Sequence, residues 1–307
     1  MKKKNILVSI VLMIFISVFA DYNILIPGAN EFVKTIKVEN YKLKYLYLKE
    51  FEEYLNIDNL KIGREGSIIT FDNTIKRNFY IANLNNLNKW KAFEIENLPI
   101  PSYISDFPFT INNNSIIVFY NNYEKKEKIE LKIFNYMISD KKLNLIKTYL
   151  NLSSPNLYNT NLSNNFLVYV LENKNTSNVE LHILDIKSQK DILIKNVIGN
   201  PKLDINTKGD VIFTEGIYIE YYNSKDKTIK EIEFDKLYPE IIMDEPYFVT
   251  FLNEKDIAIY SNEKLVIFDI EKWSIKEVIY DIPENIVGLT GLSDGSILIN
   301  IYDYKGE

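Results

Sequence analysis

The sequence predicts an all-β protein built from repeated units of about four strands each, and two observations lead to this prediction. The 307-residue chain is rich in strand-forming residues, with 22 tyrosines and 17 phenylalanines against 10 glycines. Aromatic and β-branched residues favour strands over helices. In addition, a polar turn followed by a five-residue apolar segment recurs six times, with successive starts 40 to 51 residues apart. The apolar segments begin at Ser67, Ser115, Phe166, Asp210, Asp256 and Ser296.

Each apolar segment is expected to form a strand buried on both faces. The six segments read SIITF, SIIVF, FLVYV, DVIFT, DIAIY and SILIN. Near-continuous apolarity over five residues is typical of a strand that packs against protein on both sides. We therefore place these segments in the interior of the fold.

Two further strands follow each of the first five apolar segments. The first of the two has Asn or Asp as its last or second-to-last residue and covers residues 79–84, 130–136, 180–186, 218–223 and 264–270. The second alternates between polar and apolar residues at 90–95, 144–150, 191–196, 229–234 and 275–280. Alternation indicates one wetter face, as in an outer strand. The connections to the next repeat contain Pro101, Pro155, Pro201, Pro246 and Pro283, and proline suits a turn or a strand edge.

Four strands in every repeat of this length are the pattern of a β-propeller blade, so the sequence predicts a single six-bladed β-propeller domain over residues 21–307. Each blade buries both faces against its neighbours, which explains the apolar strands. A two-sheet sandwich is the alternative, but the regular spacing argues against it.

The sixth repeat is short of strands, because after 286–292 and 296–300 only seven residues remain. Its turn, Ser293-Asp294-Gly295, uses an Asp-Gly pair that supplies the positive φ of a hairpin. Strand-like runs at 22–48 have no other assignment. We predict that they supply the outer strands of the last blade, so that the two ends of the chain close the ring and remove a free edge.

The turn-and-strand unit, seen best in LSDGSILIN, resembles the TolB-type and WD40-like propeller repeats of exported bacterial proteins. The resemblance covers most of residues 60–303 and is one of pattern, since the usual Trp before the turn and Pro inside it are missing. It implies an exported propeller and does not specify a subfamily.

Residues 1–20 have the form of a cleaved secretory signal. Three lysines precede an apolar run of about 15 residues, and Val18 and Ala20 occupy the −3 and −1 positions of a cleavage site. The run is shorter than the roughly 20 residues of a spanning helix. We expect a periplasmic or secreted protein without stable membrane insertion after cleavage.

Charge and composition limit the classes of partner and of chemistry that are open to this protein. Loss of the three signal lysines changes the formal charge from −6 to −9, which disfavours nucleic acid as a partner. The sequence has no cysteine, which excludes disulfides and thiol chemistry. Its one histidine, His182, lies among apolar residues in ELHILDI, where a packing role between blades is favoured over catalysis.

One segment resembles a calcium loop. Asp204, Asn206, Asp210 and Glu215 follow the spacing D-x-N-x-x-G…E, which places oxygen ligands around a glycine bend. Lys208 stands where a third ligand oxygen is needed. The fourth copy of the blade turn is therefore the better explanation, and no cofactor is predicted, calcium being the one alternative.

Four acids are candidates for ligand binding. Asp106, Asp244, Glu245 and Glu284 lie in connections that lead into inner strands. Such connections converge around the channel of a propeller, where ligands usually bind. A ring of acids there could hold a cation or supply paired carboxylates for hydrolysis. The alternative is that these acids keep an exported protein soluble.

The sequence predicts a non-catalytic binding propeller. No nucleophile–base pattern such as G-x-S-x-G appears. The expected partner is a protein, a carbohydrate or a small molecule of the cell envelope, bound at the loop face around the channel. A carboxylate- or cation-dependent hydrolase or lyase using the four acids is the alternative.

Overall fold

A computed structural model describes most of the chain. The described residues are 22–38, 40–52, 54–55, 59–72, 78–99, 108–122, 129–152, 157–173, 177–216, 218–233, 248–283 and 285–302. Helix within them is confined to two short 3₁₀ turns, Ala29–Phe32 and Lys49–Phe51. In this part of the chain no helix has the length and apolarity needed to cross a membrane.

The strands form six sheets that follow one another along the chain, which confirms the predicted six-bladed β-propeller. The first described strands are β1 (Tyr22–Leu25), β2 (Val33–Val38) and β3 (Tyr41–Tyr47). The first blade contains β4 (Lys61–Ile62), β5 (Ser67–Asp72), β6 (Asn78–Asn83) and β7 (Asn86–Phe93). The second contains β8 (Phe109–Ile111), β9 (Ser115–Asn122), β10 (Ile129–Met137) and β11 (Lys142–Leu152). The third contains β12 (Leu157–Ser163), β13 (Phe166–Asn173), β14 (Asn178–Asp185) and β15 (Lys190–Val197).

The second half of the chain repeats the pattern. The fourth blade contains β16 (Leu203–Ile205), β17 (Val211–Glu215), β18 (Tyr218–Asn223) and β19 (Thr228–Ile232). The fifth contains β20 (Phe248–Phe251), β21 (Asp256–Ser261), β22 (Lys264–Asp269) and β23 (Ser274–Ile279). The last strands of the chain are β24 (Ile286–Gly291) and β25 (Ile297–Ile301).

The sixth blade joins the two ends of the chain, as predicted. Its order is β2-β3-β25-β24, and β25 pairs with β3 in parallel, with Ile297 opposite Leu43. A salt bridge of 2.8 Å joins Lys44 of β3 to Asp294 in the turn before β25. The prediction was wrong for β1, which does not join the last blade but forms a fifth strand on the outer edge of the first blade, antiparallel to β7.

The apolar segments found in the sequence are the second strands of their blades. The innermost strands are β4, β8, β12, β16, β20 and β24, and β4 has only two residues. The second strands are the most apolar because each face packs against a neighbouring blade. Between the first two blades, Phe79 lies 4.7 Å from Phe71 and 5.6 Å from Phe109, measured between ring centroids. Burial of each such ring contributes about 1.5–3 kcal/mol.

Three of the turns that join innermost and second strands share one geometry. Gly66, Gly209 and Gly295 have φ values of 84°, 86° and 79°. Each donates its backbone N–H to the carbonyl oxygen three residues earlier, at 2.9, 3.2 and 2.9 Å. Glycine adopts this left-handed conformation without steric cost. Ser293-Asp294-Gly295 is therefore a structural turn, and Lys208-Gly209 is its copy in the fourth blade.

Candidate functional site: the central channel

One tier of residues on the innermost strands is polar in all six blades. The tier consists of Lys61, Thr110, Asn161, Asp204, Thr250 and Thr290, which pair with Ile69, Ile117, Val168, Ile212, Ala258 and Leu298 of the second strands. The next position on each of the first five strands is apolar and packs between blades, as alternation along a strand requires. We call this set the polar tier.

An ion pair crosses the propeller axis beside the polar tier. Arg64 follows the innermost strand of the first blade, and its Nη1 lies 3.1 Å from Oδ2 of Asp204 in the fourth blade. In a ring of six blades the first and fourth are opposite each other, so the pair spans the channel. Both residues are buried, with 8% and 2% of their surface exposed. The pair closes the channel at the end where the innermost strands lead into their turns.

Asp204 is held by donors from its own blade and from three others. Its Oδ2 also accepts hydrogen bonds from Thr250 Oγ1 and the Phe251 backbone N–H, each at 2.7 Å. Its Oδ1 accepts from Asn161 Nδ2 and the Ile205 backbone N–H, again at 2.7 Å. These hydrogen bonds hold the carboxylate in one orientation. This carboxylate is therefore a fixed structural charge.

A cavity of about 240 Å³ lies in the channel and takes its walls from all six blades. The side chains that give the cavity its chemistry are Lys61, Thr110, Asn159, Asn161, Lys202, Phe248, Thr290 and Asn300. A wider recess of about 820 Å³ shares Lys202 and Phe248 with the cavity. The two spaces adjoin at the mouth, where the connections between blades enter the innermost strands.

Asn300 reaches the cavity from the second strand of the sixth blade. It pairs with Gly288 across the β24–β25 ladder. A Cβ atom at residue 288 would lie 2.6 Å from Asn300 Nδ2, so glycine leaves the space that this side chain occupies. The Asn300 side-chain oxygen is buried and has no hydrogen-bond partner in the described part of the chain. Such an oxygen costs about 1–3 kcal/mol until a donor reaches it.

The cavity is cationic. Lys61 and Lys202 both line it, and burial together with the charge of Lys202 lowers the pKa of Lys61. The Lys202 ammonium lies 5.7 Å from the centroid of the Phe248 ring, a cation–π contact. Among the described residues that line the cavity there is no carboxylate, and Asp204 is already paired with Arg64. Within the described lining of the cavity, the two lysines therefore have no carboxylate partner.

The four residues of the calcium-like loop have separate partners. Asp204 belongs to the ion pair, Asn206 Nδ2 donates to Asp210 at 3.0 Å, and Glu215 pairs with Lys195 at 2.5 Å. Within the residues that the structure describes, no three His, Cys, Asp or Glu side chains are placed to share a metal ion. The segment forms the predicted blade turn, with Asn206 and Asp210 bonded across it.

The four acids of the predicted ligand site lie outside the described residues. Asp106, Asp244, Glu245 and Glu284 precede β8, β20 and β24 in the sequence. Their place around the channel mouth stays a prediction.

His182 lies away from the channel and packs between the second and third blades. Its ring stacks on Tyr169 at 5.3 Å, and Tyr149 of the second blade meets it edge-on at 6.3 Å. Its two nitrogens lie 3.3 Å from Asp191 Oδ1 and 3.2 Å from Glu180 Oε2. These contacts are those of a packed, hydrogen-bonded residue at a blade interface.

The sequence-based reasoning missed Lys61, Lys202 and Arg64. A signal was present, because a polar residue stands five or six positions before each apolar segment. When the repeats are aligned on their turns, these six polar residues fall in one column. The column includes Lys61 but neither Lys202 nor Arg64. The short innermost strands hid it, since two or three residues carry no readable periodicity.

Comparison with known proteins identifies no family. No protein-family model matches the sequence, and no curated protein matches it. Similar solved structures include an oligogalacturonate lyase from Vibrio parahaemolyticus, with 13% identity, a TM-score of 0.49 and coverage of 89% of this chain and 77% of that chain. The calcium-binding protein regucalcin from Agrobacterium tumefaciens has 10% identity, a TM-score of 0.49 and coverage of 78% and 80%. A chain of a nidogen/laminin complex has 11% identity, a TM-score of 0.46 and coverage of 80% and 85%.

Proposed function

We propose that this protein is an exported, non-catalytic binding propeller that takes its ligand in the central channel. The observation that carries the proposal is the polar tier together with the cavity of about 240 Å³ beside it. Polar side chains on the innermost strands of all six blades meet at one level of the channel. Packing alone would favour apolar residues there, because buried polar groups cost free energy unless they are bonded.

The shape of the channel suits a bound molecule. The Arg64–Asp204 pair blocks one end, so the cavity is a blind pocket that opens toward the connections between blades. Its walls are strands of a closed ring, which hold polar groups more rigidly than loops do. The free side-chain oxygen of Asn300 is a further position that a ligand donor would satisfy. Concave sites with a few converging polar groups are typical of ligand binding.

The chemistry of the described channel favours binding over catalysis. Asp204 is the carboxylate of the polar tier, and five donors from the protein hold its two oxygens. A carboxylate engaged in this way is a poor general base, because proton transfer would break the bonds that hold it. The hydrolase or lyase alternative depends on Asp106, Asp244, Glu245 and Glu284, and it stays a prediction.

Location and family belong to the same proposal. The lysine-led apolar run at 1–20 supports export to the periplasm or the cell exterior. The turn-and-strand unit supports a TolB-type or WD40-like propeller. The mass of the protein recovered from the periplasm or culture medium tests export, because cleavage after Ala20 removes 20 residues.

A screen against a variant with a filled channel tests the binding function. Thr290 lines the cavity, so Thr290→Phe should occupy it, whereas Thr228→Phe changes an exposed position on β19 as the matched control. The measurement is the thermal shift produced by a panel of sugars, amino acids, nucleotides and organic acids. We expect compounds that stabilise the wild type and Thr228→Phe but not Thr290→Phe, and that are recovered unchanged.

Two results would contradict the proposed function. Compounds that stabilise all three proteins equally bind outside the channel. A compound that is recovered as a cleaved product makes the protein an enzyme.

A further inference from the structure

We propose that the ligand of the channel is a small anion, a carboxylate or phosphate compound whose charge lies between Lys61 and Lys202. This inference rests on the proposed function and names the ligand class for the same site. It depends on the charge balance of the channel, on the hydrogen-bonding groups around the two lysines and on the size of the cavity.

Among the described residues that line the cavity or close its end, cationic side chains outnumber carboxylates. Of the three cationic side chains, Arg64 is paired with Asp204 at 3.1 Å. Lys61 has no carboxylate partner among the described residues, and Lys202 has the Phe248 ring beside it. Holding an unpaired ammonium away from bulk water costs free energy, and the lowered pKa of Lys61 reflects that cost. A bound anion removes the cost.

The local charge is opposite to that of the whole protein, which has a formal net charge of −6. Acids on the surface keep such a protein soluble. This role does not explain why two lysines line the same cavity. A cleft of one sign of charge with low-dielectric walls attracts ligands of the opposite sign. The channel is therefore built to attract anions against the net charge of the molecule.

The groups next to the lysines complete an anion site. Thr110, Thr290 and Asn161 line the same cavity and carry hydroxyl or amide hydrogens, whereas Asn159 donates its amide hydrogens to Asn200 Oδ1 and the Pro201 carbonyl oxygen. Asn161 Nδ2 already donates one hydrogen to Asp204, and the same nitrogen carries a second hydrogen that it can donate. Lysine ammonium groups bind carboxylates and phosphates as point charges with several donors. Phe248 limits the cavity on one side and restricts the position of Lys202.

The cavity volume limits the ligand to a small molecule or to the acidic end of a larger one. The cavity measures about 240 Å³. A di- or tricarboxylate or a phosphate fits this volume. A polymer does not fit inside it.

Isothermal titration calorimetry with citrate and with inorganic phosphate tests the inference, at constant ionic strength set with NaCl. Trimethyl citrate is the neutral probe of matched shape. The variants are Lys61→Met and Lys202→Met, which remove the charge and keep an unbranched apolar chain. Lys187→Met, at an exposed position after β14, is the control. Thr290→Phe from the screen above is included.

We expect citrate or phosphate to bind the wild type and Lys187→Met, and the neutral ester not to bind. Each of Lys61→Met and Lys202→Met should weaken binding at least about tenfold, as loss of a charged hydrogen bond does. Without ligand, Lys61→Met should melt at a higher temperature than wild type, because an unpaired charge is gone. If Lys61→Met does not fold, Lys202→Met carries the test.

The inference is overturned if neither anion binds, if the lysine variants bind as tightly as wild type, or if the neutral ester binds equally well. The proposed function survives these results when neutral compounds bind and Thr290→Phe abolishes their binding. If no compound responds to Thr290→Phe, the proposed function fails, and the ligand class fails with it.

Discussion

Arg64 and Asp204 are 140 residues apart in the sequence and form an ion pair of 3.1 Å across the axis of the propeller. The pair ties the first blade to the fourth, and Thr250 and Asn161 add bonds from the fifth and third. A link across the axis makes the blades depend on one another. It also defines the floor of the candidate binding site.

Loss of this arginine should destabilise the whole ring. Arg64→Met leaves the buried Asp204 carboxylate without its cation, and removal of one partner of a buried pair costs about 3–5 kcal/mol. Urea denaturation followed by tryptophan fluorescence measures the free energy of unfolding. Glu254→Gln, which breaks the exposed pair with Lys208, is the control and should leave that free energy little changed. An Arg64→Met protein as stable as the control would contradict the prediction.

The salt bridge between Lys44 and Asp294, which joins the two ends of the chain, should make the free energy of unfolding depend on pH in acid. Burial alone would raise the pKa of Asp294, but the bonds from Lys44 and Ser296 outweigh it and lower this pKa to about 2. A carboxylate with a depressed folded-state pKa stabilises the protein above its unfolded pKa of about 3.8. Its contribution is lost as the pH falls from about 4 toward 2.

Asp294→Asn tests that contribution. The stability difference between wild type and Asp294→Asn should shrink as the pH falls through this window, measured by urea denaturation at each pH. Asp226→Asn, at an exposed turn, should follow the wild-type curve. A difference that stays constant from pH 5 to pH 2 would show that protonation of Asp294 does not weaken the contact between the chain ends.

Two of the three turn glycines, Gly209 and Gly295, should differ in their tolerance of alanine. Gly209 and Gly295 both have positive φ, 86° and 79°, so Gly→Ala costs about 1 kcal/mol at either position. A Cβ at residue 209 would also lie 3.2 Å from the Phe166 ring, whereas one at 295 meets nothing within 4 Å. We expect Gly209→Ala to lower the free energy of unfolding more than Gly295→Ala. Equal losses would mean that the Phe166 ring moves aside freely.

His182 should titrate above the usual range. Burial would lower its pKa, but the hydrogen bonds and charges of Asp191 and Glu180 outweigh burial and raise it above 6.5. Tyr149 and Tyr169 also face the ring, and Lys147 lies 3.9 Å from Asp191. A group with a raised folded-state pKa stabilises the protein fully below pH 6.5. That stabilisation is lost as the pH rises through the folded-state pKa.

The single histidine makes this measurement direct. His182 is the sole histidine of the sequence, so one imidazole resonance reports its titration in proton NMR. We expect a midpoint above 6.5 and a lower midpoint in Asp191→Asn. A wild-type midpoint at or below 6.5 would show that burial outweighs the two carboxylates.

Local patterns were sufficient to predict the frame of the fold. The turn around Gly295 and the strand Ile297–Ile301 are readable because glycine φ preference and two-sided burial act on neighbouring residues. The shortage of strands in the last repeat predicted the pairing of β25 with β3, since an open blade edge must be covered. The same reasoning assigned β1 to the last blade and was wrong. Its backbone pairs instead with the outer strand of the first blade, an edge that can also accept a fifth strand.

The candidate site was not predictable to the same degree. The four acids were chosen for their place before innermost strands, and they lie outside the described residues. Lys61 and Lys202 were overlooked, because innermost strands of two or three residues show no readable periodicity and the sequence does not show that the two lysines line one cavity. Asp204 was noticed as part of a calcium-like spacing that was read as a blade turn, and its contact with Arg64 was not foreseen.

The sequence by itself determined the number of blades, the turns between their first two strands and the closure of the ring. These properties depend on residues that are close in the chain or on edges that must be paired. Only the tertiary structure decided that Arg64 meets Asp204 and that Lys61 and Lys202 line one cavity. The physical reason is that the rotation from blade to blade determines which residues converge at the axis, and this rotation follows from how the blade faces pack.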